Sequence, residues 1–336
     1  TSTPPKSFGA TKGAKRSTGG VPTTRLAVYG LPSHSIPTMA FAPQHGDDLR
    51  SNCSTLVVPA LSIGNVGQLA VDLLISSLRA ERVGYLDDPS VLPCVGNDAY
   101  GPVPEGVLAL PLEGYLNKRL MLLPSNLKKA KELCLNLFSS DSYHGVLPQG
   151  MMVEFARNLA SYAATTGKQH VVVLSSLDSG KKQKCDDSGS HIYYISSTRQ
   201  DGSDDVCEKL GWKRLQEYIP DHKRWQYLSS LADGNPVLEE ESLSFDDELV
   251  VDDYYPSLPF AALFSCCKAK GLNVTCVLCY CAEGDNTPDS FILAEAALNL
   301  LGLDKDISNG KEGTGGWIIP LSWKTFYGPP PDMSLF

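Results

Sequence analysis

Between Leu56 and Leu78 the chain reads as a short apolar run, a turn holding two glycines and a stretch of helix-spaced apolar residues. No other part of the sequence narrows the fold as much. Leu56-Val57-Val58 suits a strand buried on both faces. Pro59 closes that strand, and Gly64 and Gly67 permit tight backbone geometry. Val66, Leu69, Ala70, Leu73, Leu74 and Leu78 then recur at helical spacing, so a helix is predicted from about Asn65. Strand, glycine loop and helix make the first half of a βαβ unit. Such a loop can hold a phosphate at the helix N-terminus, or it can pack the helix closely on the sheet.

The rest of the chain repeats this rhythm. Strands are expected at Arg82–Leu86, Val107–Leu112, His170–Leu174, His191–Ile195 and Asn273–Cys281. Helices are expected from Met151 to a stop at Gly167, from Asp205 to Leu215 with Gly211 inside, from a Ser257 cap to Gly271, and from Pro288 to Gly302. The predicted fold class is therefore α/β, a mostly parallel sheet flanked by helices in one main domain, residues 51–328. Residues 1–50 hold no acid before Asp47 and are rich in Ser, Thr, Gly and Pro, which predicts a disordered basic tail. Residues 116–148 fit no strand–helix alternation and are expected to be an atypical insertion, leaving one strand of the sheet missing. Residues 233–253 carry nine acids and are expected to form an acidic linker. Residues 329–336 form a tail in which three prolines hold Met333, Leu335 and Phe336 away from the body.

Charge and composition exclude several functions. A formal net charge of −9 argues against nucleic acid as the main partner. The longest apolar run, Leu69–Leu78, is broken by Asp72, Ser76 and Ser77, so no bilayer span is expected. The ten cysteines lie largely in apolar runs of a long chain, which predicts reduced core thiols and an intracellular protein. Cys276 is expected on one face of its strand and Cys279 and Cys281 on the other, so with Cys266 and Cys267 they make a core rather than a zinc site. No G-x-S-x-G elbow is present, and the first loop lacks the Gly-Lys-Ser/Thr ending of a P-loop. Glu283, Asp285 and Asp289 form the best acidic cluster, in a loop at the C-terminal end of a strand, where open α/β sheets bind ligands. Capping of the following helix explains Asp289 equally well.

Several long stretches together resemble a known family. They are LVVPALSIGNVGQLAVDLL (Leu56–Leu74), RVGYLDDPSVLPCVGNDAYG (Arg82–Gly101), HVVVLSS (His170–Ser176), CYCAEGDNTPD (Cys279–Asp289), IPLSWKTFYG (Ile319–Gly328) and PPPDMSLF at the C-terminus. In these the chain is similar to the proteasome assembly chaperone 2 family, in its plant-type form. The signature loops are Gly64, Asn65 and Gly67; Gly96 and Asn97; and Gly284, Asp285, Asn286, Pro288 and Asp289. The resemblance implies a phosphorylase/hydrolase-like fold without catalytic residues, metal or cofactor. It also implies a heterodimer with proteasome assembly chaperone 1 that acts on the α-subunit ring of the core particle, with neither nucleic acid nor membrane as partner. The expected location is the cytoplasm, with the nucleus as a further site. Tails of such chaperones resemble a hydrophobic-tyrosine-any motif that enters pockets between α subunits. Here Leu335 stands at the tyrosine position and Ser334 at the apolar one, with Met333 and Phe336 beside them. The alternative left open is a phosphorylase- or nucleosidase-like enzyme using the Gly64–Gly67 and Glu283–Asp289 loops.

Overall fold

The computed structural model describes residues 39–43, 53–91, 96–97, 100, 108–110, 112–117, 120–123, 148–182, 191–235, 254–303 and 316–325. All belong to one compact unit, Pro37–Phe336. Its strands are β1 (Ala40–Pro43), β2 (Thr55–Pro59), β3 (Glu81–Asp87), β4 (Gly96–Asn97), β5 (Leu108–Ala109), β6 (Glu113–Asn117), β7 (Leu120–Leu122), β8 (His170–Asp178), β9 (Ile192–Ser196), β10 (Lys213–Arg214) and β11 (Asn273–Cys281). The helices are α1 (Val66–Ser77), α2 (Pro148–Thr165), α3 (Asp205–Lys209), α4 (Lys223–Ala232), α5 (Pro259–Ala269) and α6 (Thr287–Leu301).

Nine strands form one sheet in the order β1-β3-β6-β7-β2-β8-β11-β9-β10. Its core is parallel: β2 pairs with β7 and β8, and β8 with β11. The flank β1-β3-β6-β7 is antiparallel, and β9 runs against β11. The sheet is thus mixed, and parallel where the apolar runs predicted it. Strands β8 and β11 are almost wholly buried, because helices cover both faces. One layer holds α1 and α6, packed on Val57, Val172, Leu174 and Val277. The other holds α2, α4 and α5, packed on Leu56, Val171, Val173 and Cys276. Cys276 faces the second layer, whereas Cys279 and Cys281 face the first, as the alternation along the strand requires.

Five expectations need correction. Residues 40–43 are an edge strand rather than tail: they pair antiparallel with Gly84–Asp87, and Phe41 lies near Tyr162 with ring centroids 6.3 Å apart. Residues 116–148 do not leave the sheet one strand short, since Leu120–Leu122 is β7, buried beside β2. Their β-branched content is low, and burial between two strands outweighs propensity. The strand expected over Val107–Leu112 is reduced to Leu108–Ala109, paired with Gly96–Asn97 in a separate two-stranded sheet. Gly211 does not lie inside a helix; α3 ends at Lys209 and Gly211 takes φ +77° beyond it. Ser257 does not cap α5, whose N-cap is Leu258; its hydroxyl instead donates to the Tyr254 carbonyl at 2.6 Å. Helix α4 carries the buried Trp225 and Leu228, and its pattern had no reading from sequence. Most of the acidic linker (236–253) and the end of the main domain with the whole tail (326–336) lie outside the described residues.

One half-buried titratable group gives the fold a pH dependence. His170 opens β8 with Nε2 3.0 Å from Thr275 Oγ1. Burial holds its pKa below the ordinary value of 6.5, against a smaller opposing pull from the Asp204 charge. On acidification the unfolded chain then takes up this proton before the folded one does, so stability is present at neutral pH and declines as pH falls through about 6.5. Denaturant midpoints at pH 7.5 and at pH ~5.5 should therefore separate less in His170→Gln than in the wild type. Equal separations would remove His170 as the cause.

Candidate functional site

The C-terminal ends of β2, β8 and β11 bring two of the three signature loops together. After β2 the chain turns through Ile63–Asn65, where Gly64 (φ 60°, ψ 7°) and Asn65 (φ 55°, ψ 27°) are consecutive left-handed residues. The strands grip this turn by one atom. The Ile63 carbonyl accepts from Ser176 Oγ of β8 at 2.6 Å and from Cys281 Sγ of β11 at 3.6 Å. Helix α1 then starts so close to the sheet that a Cβ on Gly67 would lie 2.3 Å from the Leu174 carbonyl oxygen. That same oxygen accepts from Ala60 N at 2.9 Å.

The second loop meets the first at Asn286, which is only 5% exposed. Its Nδ2 donates to the Ala282 carbonyl at 2.8 Å and to Asp289 Oδ2 at 3.3 Å. Its Oδ1 faces Gly64, where a Cβ would stand 2.2 Å away. Asp285 Oδ1 accepts from Thr287 N at 3.1 Å, and Pro288 and Asp289 occupy the first turn of α6. The signature residues thus fasten the starts of α1 and α6 to one another and to the sheet. Gly96 and Asn97 lie elsewhere, in the β4–β5 pair.

This geometry decides how the glycine loop is used. A phosphate cradle needs free amide groups and open space before the helix. Here the space beside Gly64 is taken by Asn286, and that beside Gly67 by backbone of β8. The thiols at this end of the sheet are also poor nucleophiles, because burial pushes Cys279 and Cys281 up and keeps them protonated. Among the described residues no group of three or more His, Cys, Asp or Glu side chains could hold a metal ion.

Two further clusters had no reading in the sequence. At the C-terminal ends of β8 and β11, Tyr193, Tyr254, Tyr255 and Tyr280 pack as edge-to-face pairs, with ring centroids 4.9 Å apart for Tyr193–Tyr280 and 5.1 Å for Tyr254–Tyr255. The hydroxyls of Tyr255 and Tyr280 lie 3.0 Å apart, and burial pushes Tyr255 up to about 12. Lys182 Nζ stands 5.8 Å from the Tyr193 ring and 5.9 Å from that of Tyr280, while Lys181 Nζ stands 5.8 Å from Tyr254. The Tyr254-Tyr255 doublet directly after an acidic run was the available signal. The second cluster is a buried ion pair. Glu113, fully buried on β6, accepts from Arg82 at 3.1 Å, from Leu110 N at 3.1 Å and from Tyr115 at 2.9 Å. Beside it the Tyr100 hydroxyl donates to Asp72 of α1 at 2.5 Å, which ties the β4–β5 excursion to the α1 face. A glutamate directly before Gly114-Tyr115-Leu116 was the sequence signal here.

Known proteins resemble this chain over most of its length. Residues 56–308 match the PAC2 family. A sea-anemone protein (Nematostella vectensis) named proteasome assembly chaperone 2 is 30% identical over 74% of this chain and 88% of its own length. Proteins of the same name from zebrafish (Danio rerio) and human are each 27% identical, over 82% and 84% of this chain and 91% and 94% of theirs. Among solved structures, Pyrococcus furiosus PbaA, described as an archaeal homolog of proteasome-assembly chaperone, covers 76% of this chain and 85% of its own, at 16% identity and a TM-score of 0.44. The match runs unbroken from β2 past the end of α6, through both loops that Gly64 and Asn286 join: the chain belongs to the PAC2 family.

Proposed function

We propose that this chain is an assembly chaperone for the proteasome core particle. It pairs with proteasome assembly chaperone 1 as a heterodimer and promotes assembly of the α-subunit ring in the cytoplasm and nucleus. The observation that carries this reading is the match of residues 56–308 to the PAC2 family together with relatives of that name along most of the chain. The packing at Gly64, Gly67 and Asn286 supports it from the other side, since the loops best placed for small-molecule chemistry are filled by the protein itself. Work on a partner then falls to outer surfaces and to the tail, where Met333, Leu335 and Phe336 enter a pocket between α subunits by their apolar side chains.

Affinity purification of the tagged full chain from cells tests this directly. The expected result is recovery of a second chaperone and of α subunits. Deleting residues 333–336 should leave the chaperone pair intact and lower α-subunit recovery about tenfold, as loss of one anchoring contact would. Recovery of neither partner by the full chain would overturn the reading; unchanged α-subunit recovery by the truncation would remove the tail from it.

A further inference from the structure

Three residues where the two signature loops meet stand in helix-cap positions, and none of them caps. Ser62 precedes the Ile63–Asn65 turn, Asn65 precedes α1 and Asn286 precedes α6. Serine and asparagine in such positions ordinarily accept from an amide of the first helical turn. Here no side chain of the three makes that bond. Instead Ser62 Oγ, Asn65 Oδ1 and Asn286 Oδ1 are buried without a hydrogen-bond partner. Six buried side-chain nitrogen or oxygen atoms among the described residues are in this state, and the three oxygens all belong to this junction. Buried polar atoms are as a rule paired, so a group of three needs a common cause.

The fold brings these residues together. Ser62 and Asn65 bracket a single turn, in which Asn65 N donates to the Ser62 carbonyl at 3.2 Å. Asn286, 5% exposed, sets its Oδ1 against Gly64 inside that turn. The amide cannot be turned over. Its Nδ2 faces two acceptors, the Ala282 carbonyl at 2.8 Å and Asp289 Oδ2 at 3.3 Å, and a flip would set oxygen against oxygen at both.

What the three atoms lack defines what they hold. The two amide oxygens can only accept, whereas the serine hydroxyl can donate. A molecule that gives two hydrogens and receives one closes the set. It must be small, since not even a methyl fits between Gly64 and Asn286. An anion would face two amide oxygens, and a cation would stand at the positive ends of α1 and α6. We propose that this junction holds one internal water molecule, which donates to Asn65 Oδ1 and Asn286 Oδ1 and accepts from Ser62 Oγ. Three hydrogen bonds are typical of a buried water. It joins the starts of α1 and α6 through their cap residues, and the reading is independent of any role in proteasome assembly.

Two mild substitutions test it in the full chain. Ser62→Ala removes the hydroxyl, and Asn65→Gly removes an amide oxygen while keeping a residue suited to φ 55°. Oxygen-17 relaxation dispersion detects waters held longer than the protein tumbles, and each variant should show one fewer than the wild type. Melting temperatures supply a readout that two separate structural roles would not move. Ser62→Ala should lower the melting temperature by about 3 °C in the wild-type background. In the Asn65→Gly background, where the water is already lost, it should lower it by less than ~1 °C. Equal drops in the two backgrounds would overturn the proposal, as would an unchanged count of long-lived waters. So would a wild-type melting temperature higher in potassium chloride than in choline chloride of equal strength together with loss of that difference in Asn65→Gly, which would make a cation the occupant.

Discussion

Gly67→Ala should be among the most damaging small substitutions in this protein, costing about 3 kcal/mol or more. One methyl is added, but it would stand 2.3 Å from the Leu174 carbonyl oxygen and 2.9 Å from its carbon. Both atoms are backbone of a central strand and cannot rotate away, so α1 must lift from the sheet. Lifting it breaks its fit to α6 and disturbs the Leu174 acceptor that also serves Ala60 N. Gly211→Ala is the matched control, because Gly211 has φ +77° and nothing lies within 4 Å of the place its Cβ would take. It should cost only the left-handed penalty of about 1 kcal/mol. In thermal melts the first variant should fall on the order of 10 °C below wild type and the second by a few degrees at most. Equal melting temperatures for the two would mean that α1 does not seat as described.

Glu113→Ala should cost about 3–5 kcal/mol, the range for breaking a buried pair from one side. The loss comes mainly from what is left behind. Arg82 is 12% exposed in its side chain; burial pulls its pKa down, but Glu113, joined by Tyr115 and Tyr85, holds it raised, so it stays a cation. Without Glu113 that cation loses its carboxylate partner, and Leu110 N and Tyr115 each lose an acceptor as well. The double variant Arg82→Met, Glu113→Leu should regain a large part of the loss, since an apolar pair of similar volume has no charge to desolvate. Equilibrium denaturation of the two single variants and the double one measures the coupling. A cost for Glu113→Ala below about 1 kcal/mol would show the pair to be solvated in practice.

The parts of the fold legible in sequence were those written by local periodicity. Strands β2, β8 and β11 are unbroken apolar runs, and α1, α5 and α6 carry helical spacing with clear stops, so their types followed from the residues alone. The antiparallel flank was not legible in the same way. Strands β6 and β7 are held by pairing with β3 and β2, partners distant in sequence, and Leu120–Leu122 is too short to show a period. Strand β1 sits in a Pro- and Ser-rich stretch, and only its contact with β3 makes it a strand. The same division holds at the candidate site. Asp289 could be read as a first-turn residue because capping is local. The meeting of Gly64 with Asn286 could not be read, because it depends on two loops distant in sequence arriving at one end of the sheet.

The two rims of the sheet carry a consequence for association. At one rim β1 is four residues long and ends in Pro43, which has no amide hydrogen to offer; at the other, β10 is two residues long and consists of Lys213 and Arg214. Short, charged or proline-ended rims give an incoming strand little to hydrogen-bond. An incoming strand would therefore find little ladder to join at either rim of the described sheet. Partner choice then rests on side chains outside the strand ladder, residues that can change without disturbing the scaffold beneath.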